Sequence, residues 1–138
     1  MNDDETYDRK RVINSKWTRG GCVLAAFFMV VTVFVGAETA AKVPLLPPLF
    51  DKVAHFGYYG TMAVLLSHGV GLRWLILPLF LVPIFGAADE WHQSTIVGRD
   101  ASFWDWMADE AGTVVACYLY WRWQRTRTRN LNPVTGDE

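Results

Sequence analysis

The residues of this chain best suited to chemistry fall into three short stretches. The first holds Asp51, Lys52 and His55, followed by Tyr58 and Tyr59. The second holds Asp89, Glu90, His92 and Gln93. The third runs Gly98, Arg99, Asp100, Ser102, Asp105, Asp109, Glu110 and Gly112. These types suit proton transfer and anion binding. A carboxylate such as Asp89 or Glu90 would act as general base with His55 as acid partner, and Asp105 and Asp109 join the same catalytic set. Arg99 would hold a phosphate bidentately, helped by Lys52 and Gln93 as binding residues. No GxSxG, active-site cysteine or HExxH supplies a nucleophile or zinc motif. Cys22 and Cys117 have no ligand spacing and read as apolar helix residues. The seven carboxylates Asp51, Asp89, Glu90, Asp100, Asp105, Asp109 and Glu110 face only Lys52 and Arg99. Such an oxygen-rich cluster could hold a hard divalent cation. Lys52 and Arg99 compete for the same charge, so no residue is assigned as a metal ligand.

Elements that would position these residues follow from hydropathy. The chain has 138 residues, enough for one domain, and a net charge of −1 that offers no basic field for nucleic acid. Charge is concentrated in the two ends, 1–19 and 124–138, which read as disordered polar tails on the cytoplasmic side. Between them lie four segments near the length of about 20 residues that a spanning helix needs. They are 20–41, 53–72, 74–91 and 103–123. Pro78 and Pro83 lie within the third and should kink it. The fourth carries Asp105, Asp109 and Glu110, so hydropathy alone scores it weakly. Seven Trp and eight Phe add the aromatic load common at membrane interfaces. The expected fold is all-α, an integral membrane bundle of about four transmembrane helices occupying 20–123. The first segment also resembles a signal peptide, with five basic residues before it and Val35, Gly36 and Ala37 near its end. Its length favours a retained helix.

Lys and Arg set the orientation. Ten lie in the two tails and at Arg73 and Arg122, against three, Lys42, Lys52 and Arg99, on the other side. Both termini are therefore expected in the cytoplasm, with loops 39–52 and 92–102 outside. All three chemical stretches then share the outer face. Lys52, His55 and Tyr59 fall on one helical stripe, as do Asp105, Asp109 and Gly112. Ala108, Gly112 and Ala116 form a small-residue stripe fit for close helix approach. Ser102 has the position of an N-cap with Asp105 three residues on, a variant capping box. Asp109 and Glu110 lie about 10 Å below the start of their helix at 1.5 Å per residue. Charge at such depth costs about 2.5–3.5 kcal/mol and implies partners inside the bundle. Arg99, after Gly98, is expected to swing back to Asp89 and Asp105. Lys52 would reach in from the second helix, and Asp109 would lie beneath, bonded to Gln93 or His55.

Three blocks taken in order resemble the VanZ-like family of small bacterial membrane proteins. They are Asp51-Lys52-x-x-His55-Phe56, Asp89-Glu90-x-x-Gln93, and Gly98-Arg99-x-x-Ser102-x-x-Asp105-x-x-Ala108-Asp109-x-x-Gly112. Trp91 and His92 depart from the less aromatic pattern usual there. The resemblance spans roughly 20–123 and implies about four helices in the cytoplasmic membrane of a bacterium. Its founding members are associated with resistance to the glycopeptide teicoplanin. Two functional readings stay open. One is an enzyme that modifies a lipid head group or lipid-linked envelope precursor at the outer face. The other is a non-enzymatic binding or scaffolding module, related in kind to the resistance association. A purely structural polar plug is the third reading. Bilayer lipid is the expected partner, and no protein partner is specified.

Overall fold

The computed structural model describes residues 3–40 and 47–131, with side chains described for 15–37 and 49–127 and for Pro47. Within these residues the chain is all-helical. Its elements are α1 (Asp3–Ala40), α2 (Pro48–Val70), a 3-10 turn (Leu72–Trp74), α3 (Ile76–Ser94) and α4 (Phe103–Leu131). Consecutive helices alternate in direction, because the end of α1, the start of α2, the end of α3 and the start of α4 meet at one end of the bundle. Tyr58 donates to the Met29 carbonyl at 2.6 Å, Tyr59 to Asp89 at 3.0 Å, and His55 lies 3.0 Å from Asp109.

Local chemistry explains the helix ends. Pro48 opens α2 where a backbone N–H would have no partner, and Asp51 follows in the first turn, on the side the helix dipole favours. Gly71 ends α2 at φ 82°, a left-handed conformation that suits glycine, and its N–H donates to the Ser67 carbonyl at 2.9 Å. The boundaries correct several expectations. The third helix starts at Ile76 and runs to Ser94, so Pro78 falls in its first turn and only Pro83 is interior. At Pro78 the missing N–H removes no hydrogen bond, so no kink is demanded there. The polar ends, expected as disordered, are helical over much of their length: α1 runs from Asp3 and α4 continues to Leu131. Lys42 lies outside the described residues.

The core is small and held mainly by α2 against α4. Buried Tyr59, Met62, Ala63, Val82, Ala116 and Cys117 form it, with Ala26 from α1. Gly112 permits the closest approach. A Cβ there would collide with the Phe56 carbonyl oxygen of α2, and a Cβ on Gly60 would come within 3.3 Å of the Gly112 carbonyl. The small-residue stripe of α4 therefore faces α2. Large apolar side chains of all four helices are exposed. Leu24, Phe27, Phe28 and Val35 of α1 are exposed, as are Phe50 and Val53 of α2, Phe80 and Ile84 of α3, and Tyr118 and Leu119 of α4. By length and composition alone, one described helix, over Ser15–Ala37, is apolar enough to cross a membrane.

Candidate functional site

Where the four helix ends meet, each chemical stretch contributes a turn of helix. From α2, positions 52, 55 and 59 project along one stripe toward α4 and α3. Lys52 Nζ pairs with Asp105 Oδ1 at 2.7 Å, and hydrogen bonding to that carboxylate raises the Lys52 pKa above its ordinary value. The pair is superficial, with the lysine side chain 36% exposed. One turn deeper, His55 Nδ1 lies 3.0 Å from Asp109 Oδ1, and Asp109 is fully buried. The His55 ring stacks parallel to Tyr59, with centroids 6.2 Å apart. Tyr59 in turn donates to Asp89 Oδ2 at 3.0 Å.

The α3–α4 connection is built around Glu90. Ser102 caps α4 as its sequence position implies: its hydroxyl accepts from the Asp105 N–H at 3.3 Å. The reciprocal arm of a capping box is absent. The Ser102 N–H donates instead to Glu90 Oε2 at 2.6 Å, while the Asp105 carboxylate is taken by Lys52. Glu90 thus ties the end of α3 to the start of α4. Arg99 corrects a second expectation. Its guanidinium donates to Gln93 Oε1 at 3.1 Å and forms no ion pair with any acid among the described residues. The short loop directs it along the end of α3, six residues from its partner in sequence. Asp109 pairs with His55, leaving Gln93 to Arg99.

The consequence is electrostatic. Asp89, Glu90 and Asp109 are all buried, and the two cations thought to neutralise them are engaged elsewhere. Asp89 Oδ1, Glu90 Oε1 and Asp109 Oδ2 are buried oxygens with no hydrogen-bond partner among the described residues. Two overlapping sets, His55–Glu90–Asp109 and Asp51–His55–Asp105, each bring three ligand-type atoms within 4.8 Å of one another.

A cavity of about 320 Å³ adjoins this cluster. Asp51, His55, Tyr58, Tyr59, Asp89, Gln93 and Arg99 line it, with Thr32, Val33, Gly36 and Ala37 of α1 closing the remaining side. Lys52, Glu90, Asp105 and Asp109 do not line it. A larger cavity of about 710 Å³ runs between α2 and α4 but is almost wholly apolar and contains none of the candidate residues. The polar cavity is the one relevant to chemistry. His92 stacks near Phe34, and His68 meets Tyr120 on the far half of α2, so neither joins the cluster.

Several participants were not assigned roles from sequence. Tyr59 was legible on the Lys52–His55 stripe but not as the partner of Asp89. Gly86 makes room for Asp109, since a Cβ there would lie 2.9 Å from Asp109 Oδ2. Its signal was present, because Gly86, Glu90 and Gln93 share a stripe of α3. The α1 wall carried no such signal, being small and apolar. The chain matches no family model, no curated protein and no solved structure.

Proposed function

We propose that this chain is a multi-pass protein of the bacterial cytoplasmic membrane, with both termini inside. Its polar cluster acts at the outer face on a lipid head group or lipid-linked envelope precursor. One observation carries the reading: the polarity of the bundle is inverted. Asp89, Glu90, Gln93, Asp105 and Asp109 are buried while large apolar side chains of all four helices point outward. Water would reward the opposite arrangement, whereas lipid rewards this one. The core helix of a soluble protein would be mostly buried, yet only 11% of the most apolar window of α1 is covered by the rest of the chain. The order and spacing of the three blocks that resemble the VanZ-like family support the same placement.

At the site, Arg99 offers a head-group phosphate two N–H donors in a fork, within reach of the cavity that His55 also lines. Asp109 holds the His55 ring through Nδ1, which leaves Nε2 to accept or return a proton. The hydroxyls of Thr32, Tyr58 and Tyr59 in the cavity wall are all engaged in hydrogen bonds. The nucleophile is therefore water or a hydroxyl of the ligand. That same engagement favours the second reading, a module that binds a head group without altering it. Purified protein in vesicles of mixed bacterial phospholipids, followed by mass spectrometry, separates the two. A new lipid product that is absent with Arg99→Ala and His55→Gln supports the enzyme. A co-purifying, unaltered lipid lost in Arg99→Ala supports the binder. Neither product nor bound lipid, in folded protein, refutes both.

A further inference from the structure

We infer that His55, Glu90 and Asp109 form a binding site for one divalent transition-metal ion of the Zn²⁺ or Mn²⁺ type. Three independent features converge on it. The first is geometry. Ligand atoms of the three side chains, drawn from α2, α3 and α4, lie within 4.8 Å of one another. Metal–ligand bonds of about 2.0–2.2 Å put neighbouring ligands a little over 3 Å apart, so a slight contraction closes the site. The 3.0 Å separation of His55 Nδ1 and Asp109 Oδ1, a hydrogen bond in the metal-free chain, becomes that of two co-ligands when an ion displaces the proton between them.

The second feature is the orphaned oxygens. Asp109 is 0% exposed and Glu90 7% exposed, yet Asp109 Oδ2 and Glu90 Oε1 meet no donor among the described residues. Buried polar atoms are nearly always satisfied, and those that are not call for a partner outside the chain. The third is charge. Lys52 is committed to Asp105 and Arg99 to Gln93, so Asp89, Glu90 and Asp109 share a single imidazole among the described residues. The competition that argued against a cation from the sequence is therefore missing where the acids are deepest. A divalent ion supplies the balance that one histidine does not.

Donor types narrow the ion. One imidazole nitrogen with two carboxylate oxygens suits Zn²⁺ or Mn²⁺ better than Mg²⁺ or Ca²⁺, which take oxygen throughout. The orientation of the set is fixed from outside. The Ser102 N–H holds Glu90 Oε2 at 2.6 Å, and Gly86 lets the Asp109 carboxylate seat against α3. Three protein ligands leave a coordination position open. The overlapping set Asp51–His55–Asp105 is the weaker choice, because Asp105 is already paired with Lys52. This inference deepens the site proposed above and rests on that reading only for what the ion would serve.

The test uses the full chain in detergent, stripped with chelator and dialysed separately against Zn²⁺, Mn²⁺ and Mg²⁺. Bound metal is measured by mass spectrometry and fold by circular dichroism. The expected result is one Zn²⁺ or Mn²⁺ per chain, with affinity at least tenfold lower in Asp109→Asn and in Glu90→Gln. Glu110→Gln removes an equally orphaned acid outside the set and should keep wild-type binding. Co²⁺ should give visible ligand-field bands that shift in His55→Gln. Folded wild type that retains no ion overturns the inference, as does Asp109→Asn binding as tightly as wild type. Folded wild type that performs the lipid chemistry yet retains no ion would sink the ion alone. Bound metal with no lipid product and no bound lipid would sink the functional reading and leave the ion standing.

Discussion

Adding one methyl group at Gly112 should damage both the bundle and a site it does not touch. The Cβ of Gly112→Ala would meet the Phe56 carbonyl oxygen closer than real side-chain carbons approach, and both sides of the collision are backbone. No rotamer relieves it, so α2 and α4 must separate by about 1 Å to restore ordinary contact. Overpacking costs about 1–3 kcal/mol, and a backbone clash belongs at the upper end. Alanine returns about 1 kcal/mol through its better helix propensity. The net loss is about 2 kcal/mol, or about 8 °C in Tm at about 4 °C per kcal/mol. The separation also acts on chemistry. His55 precedes Phe56 and Asp109 lies one turn before Gly112, so the 3.0 Å contact between them widens to about 4 Å, past hydrogen-bond reach. Thermal unfolding in detergent, with Val114→Leu as an exposed control expected within about 0.5 kcal/mol, measures the first effect. Metal or head-group binding measures the second. A Gly112→Ala protein as stable as wild type would refute the close approach of α2 and α4.

Other outcomes follow from the same geometry. Asp109→Asn should express and fold but lose activity or ligand binding, whereas Asp109→Leu should fail in both. Full function in Asp109→Asn, by the assays given above, would make the residue a packing element. Gly86→Ala places a methyl 2.9 Å from Asp109 Oδ2, and should weaken ligand binding at the cluster more than it lowers Tm. Glu90→Ala leaves the Ser102 N–H without its acceptor and should cost about 1.5–3 kcal/mol in thermal unfolding, most of it recovered by Glu90→Gln. In a background lacking Cys22 and Cys117, a cysteine at Ser94 should react with an impermeant thiol reagent in intact cells, and one at Thr128 should not. Reversed labelling would overturn the orientation.

The residues of the site were legible before its geometry was. Periodicity put Lys52, His55 and Tyr59 on one stripe, and Asp105 and Asp109 on another. The helices bring those stripes face to face through two pairs, Lys52–Asp105 and His55–Asp109. Pairing across a loop was harder to read. Arg99 was expected on Asp89 and Asp105, but a short connection keeps it over the end of α3, where Gln93 takes it. Nor could a local pattern show that Glu90 would displace Asp105 in capping α4, since that contact joins two helices. Helix number was legible and helix ends less so, because α1 and α4 run on through the polar stretches 3–19 and 124–131, which an apolar window does not register. Hydropathy recognised α1 most readily, because the other helices carry the acids and histidines that make the site and dilute their own averages.

That uneven distribution bears on how such a protein would be made. In a bilayer, α1 is apolar enough to enter alone, whereas α4 brings Asp105, Asp109 and Glu110 and finds side-chain partners for the first two on α2. Each charge left unmatched near mid-membrane costs about 2.5–3.5 kcal/mol on insertion scales. The fourth helix would therefore enter late, as a guest of the second. A ribosome that stopped before Phe103 would release His55 without the Asp109 carboxylate that receives it. Biogenesis, on this account, is an ordered event in which the last helix completes the insertion of the ones before it.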